Sequence, residues 1–163
     1  MTGKALVADP HAAREGGPQR KLVEVAVGVL LRADGAFLLT SRPEGKPYAG
    51  YWEFPGGKLE AGESVQQALA RELQEELGIE IAAAQPWNAE TVDYPHALVR
   101  LHFCKVFDWS GDLQMREGQS FAWQQLPVTV QPVLPGTLPV LQWFAAERGF
   151  HDATHFVAYG AHS

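Results

Sequence analysis

Gly57-Lys-Leu-Glu-Ala-Gly-Glu63-Ser-Val-Gln-Gln-Ala-Leu-Ala-Arg71-Glu72-Leu73-Gln-Glu75-Glu76-Leu77-Gly78-Ile79 is the stretch from which the rest of the chain can be read. Ser64 followed three residues later by Gln67 has the form of a capping box, so a helix is expected to begin there and run to about Leu77, with Gly78 as its stop. Val65, Ala68, Leu69, Leu73 and Leu77 recur at spacings of three and four and form its buried stripe. That stripe fixes the direction of a second edge carrying Glu72, Glu75 and Glu76, whose Cβ atoms at such spacings stand ~5–6 Å apart. Like charges so placed cost a helix a few tenths of a kcal/mol per pair unless something positive fills the space between them. Arg71, four residues before Glu75, relieves part of the repulsion. For three glutamates alone, a solvated acidic face would be an adequate account.

Working outward, Val23 to Leu31 reads as a buried strand, Ala33 to Ala36 as a turn and Phe37 to Ser41 as a return strand, together a hairpin. Pro43, Gly45, Pro47 and Gly50 mark a loop, Tyr51 to Phe54 a short extended piece, and Pro55-Gly56-Gly57 a turn. Beyond the helix, His96 to Phe107 and Ser120 to Trp123 read as strands and Leu138 to Arg148 as a second helix. The three prolines between Pro127 and Pro135 predict a rigid irregular segment. Residues 1–20 show neither period and read as a flexible leader; residues 21–150 form one domain; residues 151–163, with irregularly spaced histidines, read as a solvated tail.

A chain of 163 residues, 46% of them hydrophobic, can build one core without covalent staples. Its single cysteine, Cys104, sits in an apolar stretch and reads as a small buried thiol, which suits a reducing cytoplasm. With only a four-residue apolar run, Ala5 to Ala8, in the first 20 residues and no long apolar span elsewhere, a soluble protein without membrane partners is expected. The formal net charge of −6 argues against a binder of nucleic-acid polymers, which needs clustered basic surface. For a nucleotide enzyme the same acidity requires divalent cations between protein carboxylates and substrate phosphates.

The full string resembles the Nudix box, Gly-x5-Glu-x7-Arg-Glu-U-x-Glu-Glu-x-Gly-U with U aliphatic, and meets every defined position. At about 7% per fixed residue type, a chance match is on the order of 10⁻⁹ per starting point. Arg42, Trp52, Glu53-Phe-Pro-Gly-Gly57, Tyr94-Pro95-His96 and Arg116-Glu117-Gly118-Gln119 also look like features of MutT-type members. The resemblance implies an α/β/α sandwich with a mixed sheet, and a magnesium-dependent pyrophosphohydrolase in which manganese substitutes. Its substrate would be a small-molecule nucleoside triphosphate, oxidised or not, cut to monophosphate and pyrophosphate by a monomer or homodimer. A Nudix hydrolase of ADP-ribose, a dinucleoside polyphosphate or a nucleotide sugar is the alternative, followed by a non-catalytic nucleotide sensor.

Carried over position by position, the resemblance makes Glu72, Glu75 and Glu76 metal ligands with the backbone carbonyl of Gly56, and places Glu117 on a loop that reaches the metals. Glycine at 56 and 57 lets the backbone approach ions closely. Glu75 and Glu117 both stand as candidates for the general base, and the sequence does not separate them. Glu63 and Arg71 join the catalytic set, Glu63 more as a partner of Arg71 or a shaper of the loop than as a ligand. Arg42, Glu53, Tyr94 and Thr137 fall on the substrate side; Arg42 would hydrogen-bond base or phosphates. Trp52 and Tyr94 would either stack on a base or sit in the core. Lys46 and Lys58 would offset phosphate charge or lie solvated. Where the 8-oxo-dGTP-cleaving MutT enzyme reads guanine with an asparagine, this chain has Thr137, which lacks the paired donor and acceptor of an amide.

Overall fold

The computed structural model describes residues 5–17 and 20–156. Within these, strands β1 (Leu6–Val7), β2 (Leu22–Leu30), β5 (Gly56–Lys58), β7 (Gln85–Asp93) and β8 (Leu98–Val106) form a five-stranded sheet in the order β1-β7-β8-β2-β5. It is mixed: β1 runs parallel to β7 and β2 to β8, while β7–β8 and β2–β5 are antiparallel. Strands β3 (Phe37–Ser41), β4 (Trp52–Glu53) and β10 (Phe121–Gln124) make a second sheet in the order β10-β3-β4, and the short β6 (Glu80–Ile81) and β9 (Trp109–Ser110) pair with each other.

Strand β2 organises both layers because its side chains alternate between faces. Ala26 and Leu30, with Cys104 and Val106 of β8, pack on Ala68, Leu69, Leu73 and Leu77 of helix α1 (Val65–Leu77). Val27, Val29 and Leu31, with Phe103, pack on Val140, Leu141 and Phe144 of helix α2 (Leu138–Arg148). The expected α/β/α sandwich is therefore present. Gly28 faces α1, and a Cβ there would lie 3.2 Å from methyls of both Leu69 and Leu73, so its absence lets the helix settle onto the sheet.

Helix α1 has the expected ends. Ser64 Oγ accepts from the Gln67 amide at 3.1 Å, the Gln67 side chain accepts from the Ser64 amide at 2.9 Å, and Gly78 closes the helix in the left-handed region at φ 69°. Helix α2 matches its expected span.

Other expectations are corrected. The return strand Phe37–Ser41 does not extend a hairpin: apart from the Leu31–Phe37 bridge, β3 leaves β2 and joins β4 and β10. Pro55-Gly56-Gly57 is no simple turn, since Gly56–Lys58 pairs with Val25–Val27 as an edge strand. The nine-residue β7 had no visible period because only Val92 is buried along it and a bulge at Pro86–Asn88 breaks its register. The leader is docked where it is described: Leu6–Val7 adds to β7, and Ala8 is buried against Val92 and Tyr94. The tail likewise returns, with Val128 bridging His155 and Thr154 buried; residues 157–163 lie outside the described residues. No helix among the described residues is long and apolar enough to cross a membrane.

Candidate active site

A cleft of about 650 Å³ opens beside β2 and β5, with Gly56, Gly57, Lys58, Glu72, Glu76 and Glu117 at one end and Val23, Val99, Tyr94 and His96 at the other. Pairing of β5 with β2 carries the two glycines against α1. A Cβ on Gly57 would meet the Glu72 carboxylate at 2.2 Å, and one on Gly56 would meet the Ala26 carbonyl oxygen at 2.0 Å. Both positions thus require the bare backbone, for different reasons.

Glu76 is the unusual group. Its Oε2 is buried and lacks a hydrogen-bond partner, and its carboxyl is pushed up to about 8, first by burial and then by repulsion from Glu117, Glu72 and Glu53. An ionised carboxylate without a partner is expensive to keep out of water. Such a group beside other acids, next to a glycine backbone, is a fit for a hard divalent cation, which takes carboxylate, carbonyl and phosphate oxygens. Among the described residues no group of three or more His, Cys, Asp or Glu side chains is placed to hold a metal ion by itself. An open site is what magnesium uses when it binds through one or two carboxylates, water and substrate oxygens.

Arg71 holds the neighbouring carboxylates in place. It donates to Glu63 at 2.7 and 2.8 Å, to Glu72 at 2.9 Å, to Glu75 at 3.3 Å and to the Lys58 carbonyl at 3.0 Å. Glu63 also accepts from the Glu60 amide at 2.7 Å, and these bonds hold its carboxyl down at about 2, the Arg71 bond being the larger cause. With both oxygens so engaged, Glu63 serves as a loop clamp. In the fold it is Arg71's partner. Glu75, with a side chain 59% exposed, turns to Arg71 and stands outside the cleft lining, whereas Glu72, Glu76 and Glu117 line it.

On the substrate side, Arg42 and Glu53 both line the cleft and bind each other, Arg42 Nη1 donating to both carboxylate oxygens at 3.1 Å while its Nε donates to the Pro47 carbonyl at 2.6 Å. Burial raises the Glu53 pKa against the pull of Arg42. Lys46 reaches to within 3.7 Å of Glu117, and Lys58 lines the same end. Tyr94 is only 4% exposed and its hydroxyl accepts the Gly136 amide at 2.9 Å, so it is a wall of the cleft packed into the core. Trp52 is half-buried in the core against α2 rather than in the cleft lining. Thr137 is buried and lines the cleft beside Gly136. Sequence reasoning missed Thr40 and gave no role to Gln119, quoted only as part of the Arg116–Gln119 stretch; both are buried in the lining, and Gln119 accepts the Glu117 amide at 2.9 Å and so orients that loop. A polar residue two positions from a candidate acid was the available signal.

The NUDIX domain profile matches residues 22–144. The CTP pyrophosphohydrolase of Escherichia coli (strain K12) is 39% identical over 134 residues, covering 82% of this chain and 98% of that protein. The 8-oxo-dGTP diphosphatase of Haemophilus influenzae is 40% identical over 104 residues, covering 64% of this chain and 76% of that one. Among solved structures, that of the E. coli ORF135 protein superposes with a TM-score of 0.68 at 38% identity, covering 82% of this chain and 96% of that chain.

Proposed function

Because the chain belongs to the Nudix family, as a MutT-like hydrolase of phosphoric anhydride bonds, we propose that it is a magnesium-dependent nucleoside triphosphate pyrophosphohydrolase, releasing nucleoside monophosphate and pyrophosphate. The observation that carries this reading is the buried, partnerless Glu76 oxygen beside Gly56, Gly57, Glu72 and Glu117 in an open cleft. Bound there, magnesium or manganese would neutralise phosphate charge and acidify a water.

The chain's own groups divide the remaining work. Glu72 and Glu76, with the Gly56 carbonyl, would hold the cation. Lys46, Lys58 and Arg42 present positive charge to the phosphates from the walls of the cleft. Arg71 fixes Glu72 without touching substrate, so it is a positioning residue. Water attack forms one P–O bond and breaks the P–O–P bridge, and the water's proton needs an acceptor. Of the two carboxylates open at the sequence level, Glu117 lines the cleft and Glu75 does not, which favours Glu117 as that acceptor. Glu75 would then reach a cation only through movement of its side chain away from Arg71. The buried thiol of Cys104 and the nucleotide substrate suit a cytoplasmic enzyme.

The test is product analysis with purified protein and magnesium across CTP, UTP, GTP, 8-oxo-dGTP and ADP-ribose, in ¹⁸O-water. The expected result is pyrophosphate release from triphosphates. Turnover of ADP-ribose alone, or release of orthophosphate, would reject the reading.

A further inference from the structure

The family profile begins at residue 22, yet part of the cleft wall comes from before it. Leu6–Val7 pairs with Val92–Asp93, and the Ala8 amide donates to the Asp93 carbonyl at 2.9 Å. Arg14 donates to the Ala8 carbonyl at 2.7 Å and stands 3.6 Å from the Asp93 carboxylate, closing the segment on itself. Arg20 pairs with Asp93 and donates to the Tyr94 carbonyl at 2.8 Å. Asp9 accepts from the Tyr48 hydroxyl, and Tyr48 stands at φ 61° in the loop that follows Arg42. The segment therefore ties the end of β7 to that loop. Within it the Glu15 amide donates to the Pro95 carbonyl at 2.8 Å, and Glu15 lines the cleft with His96 and Ala97.

Glu15 is far from the acidic end. Glu15 bonds Pro95, just past the Asp93–Leu98 end of β7 and β8 where Leu22 and Val23 pair with Leu98 and Val99, whereas Val27, four residues along β2 from Val23 or ~13 Å at ~3.3 Å per residue, pairs with Gly56. A triphosphate gripped at the glycine end would present its base at this distance. A carboxylate there repels phosphate, which sets the direction in which a nucleotide enters. It also accepts N–H donors and offers none. Cytosine and guanine carry amino hydrogens on their pairing edge, whereas uracil flanks its N–H with two carbonyl oxygens that a carboxylate repels.

We propose that residues 5–15 hold Glu15 in the base-side wall of the substrate cleft and that Glu15 is a specificity-determining residue, selecting nucleobases that present an amino group. This rests on the triphosphate reading above. Because Glu15 is exposed and anchored through its amide, Glu15→Ala and Glu15→Gln leave the fold intact. The experiment measures kcat and KM for two pairs, CTP with UTP and GTP with ITP, in each of which one base carries an amino group that its partner lacks. In the wild type at least one pair is expected to favour the amino base by ~10-fold or more, consistent with a site built around one hydrogen bond. In Glu15→Ala that ratio falls below about threefold through a rise in KM for the amino base, and Glu15→Gln, which also donates, narrows it by improving the partner lacking the amino group. Ratios unchanged in both variants, or a wild type indifferent within both pairs, overturn the inference while leaving the activity standing. Absence of turnover for every triphosphate strikes the underlying reading instead.

Discussion

On the proposed reading Glu76 is a cation ligand at the acidic end of the cleft, where its buried carboxylate oxygen has no hydrogen-bond partner. Replacing it with glutamine removes the charge at nearly constant volume, so Glu76→Gln is expected to lower turnover by ~10²-fold or more while the protein stays folded. Thermal melting separates this from a folding defect: saturating magnesium, worth ~2.7 kcal/mol at a hundredfold excess over its Kd, raises the Tm of the wild type but not of the variant. Equal shifts in both would remove Glu76 from the metal site. The two glycines give a second contrast. Gly57→Ala pushes a methyl into the Glu72 carboxylate and should cost activity far more than stability, whereas Gly56→Ala meets the backbone of Ala26 and should lower the Tm strongly. Activity assays and melting curves of the pair check both, and the reverse ranking would contradict this account. These contacts were invisible in sequence. The glutamates and glycines were legible as a spacing pattern, but that Glu75 turns to Arg71 while Glu117 enters the cleft depends on rotamers and on a distant loop.

At the level of elements, α1 was readable to both ends because its capping box, apolar stripe and glycine stop are local signals that tertiary packing reinforces. Strand β7 was not readable, since only Val92 is buried and its pairing is supplied by distant residues on β8 and β1. Strand β5 was hidden in a glycine pair whose strand geometry is imposed by β2. The loop before α1 is clamped by Glu63 on Arg71, and its pH behaviour follows in sign. The Glu63 carboxyl lies below its ordinary value when folded, so its contribution is complete above the usual carboxylate range and fades as pH falls from about 4.5 toward about 2. Glu63→Gln should therefore show a shallower loss of stability than the wild type across that window, measured by urea unfolding from pH 6 to pH 2.5. Parallel stability curves for the two proteins would show that the clamp does not form. Ser64→Ala, by removing the cap, should cost ~1 kcal/mol in the same assay.

Over the whole molecule, the sandwich, both helices and the acidic site were legible from sequence, while the docking of the first residues was not: two residues of strand have no period to detect, and the arginines that pin them act across long sequence distances. Asp93 receives Arg14 and Arg20 and is the common anchor. Asp93→Ala is expected to release the segment, so that limited proteolysis trims the chain ahead of β2 and leaves the rest intact; resistance equal to that of the wild type would show that strand pairing alone suffices. Strand β2 has a wider consequence. One of its faces seats the helix that carries Glu72 and Glu76 and the other, through Val23, Val25 and Val27, lines the cleft, so the proposed cutting and base-reading duties would be inherited through opposite sides of a single ribbon. On that reading a lineage would retune its diet by altering the outer wall and the first residues of the chain, without disturbing the machinery that cuts.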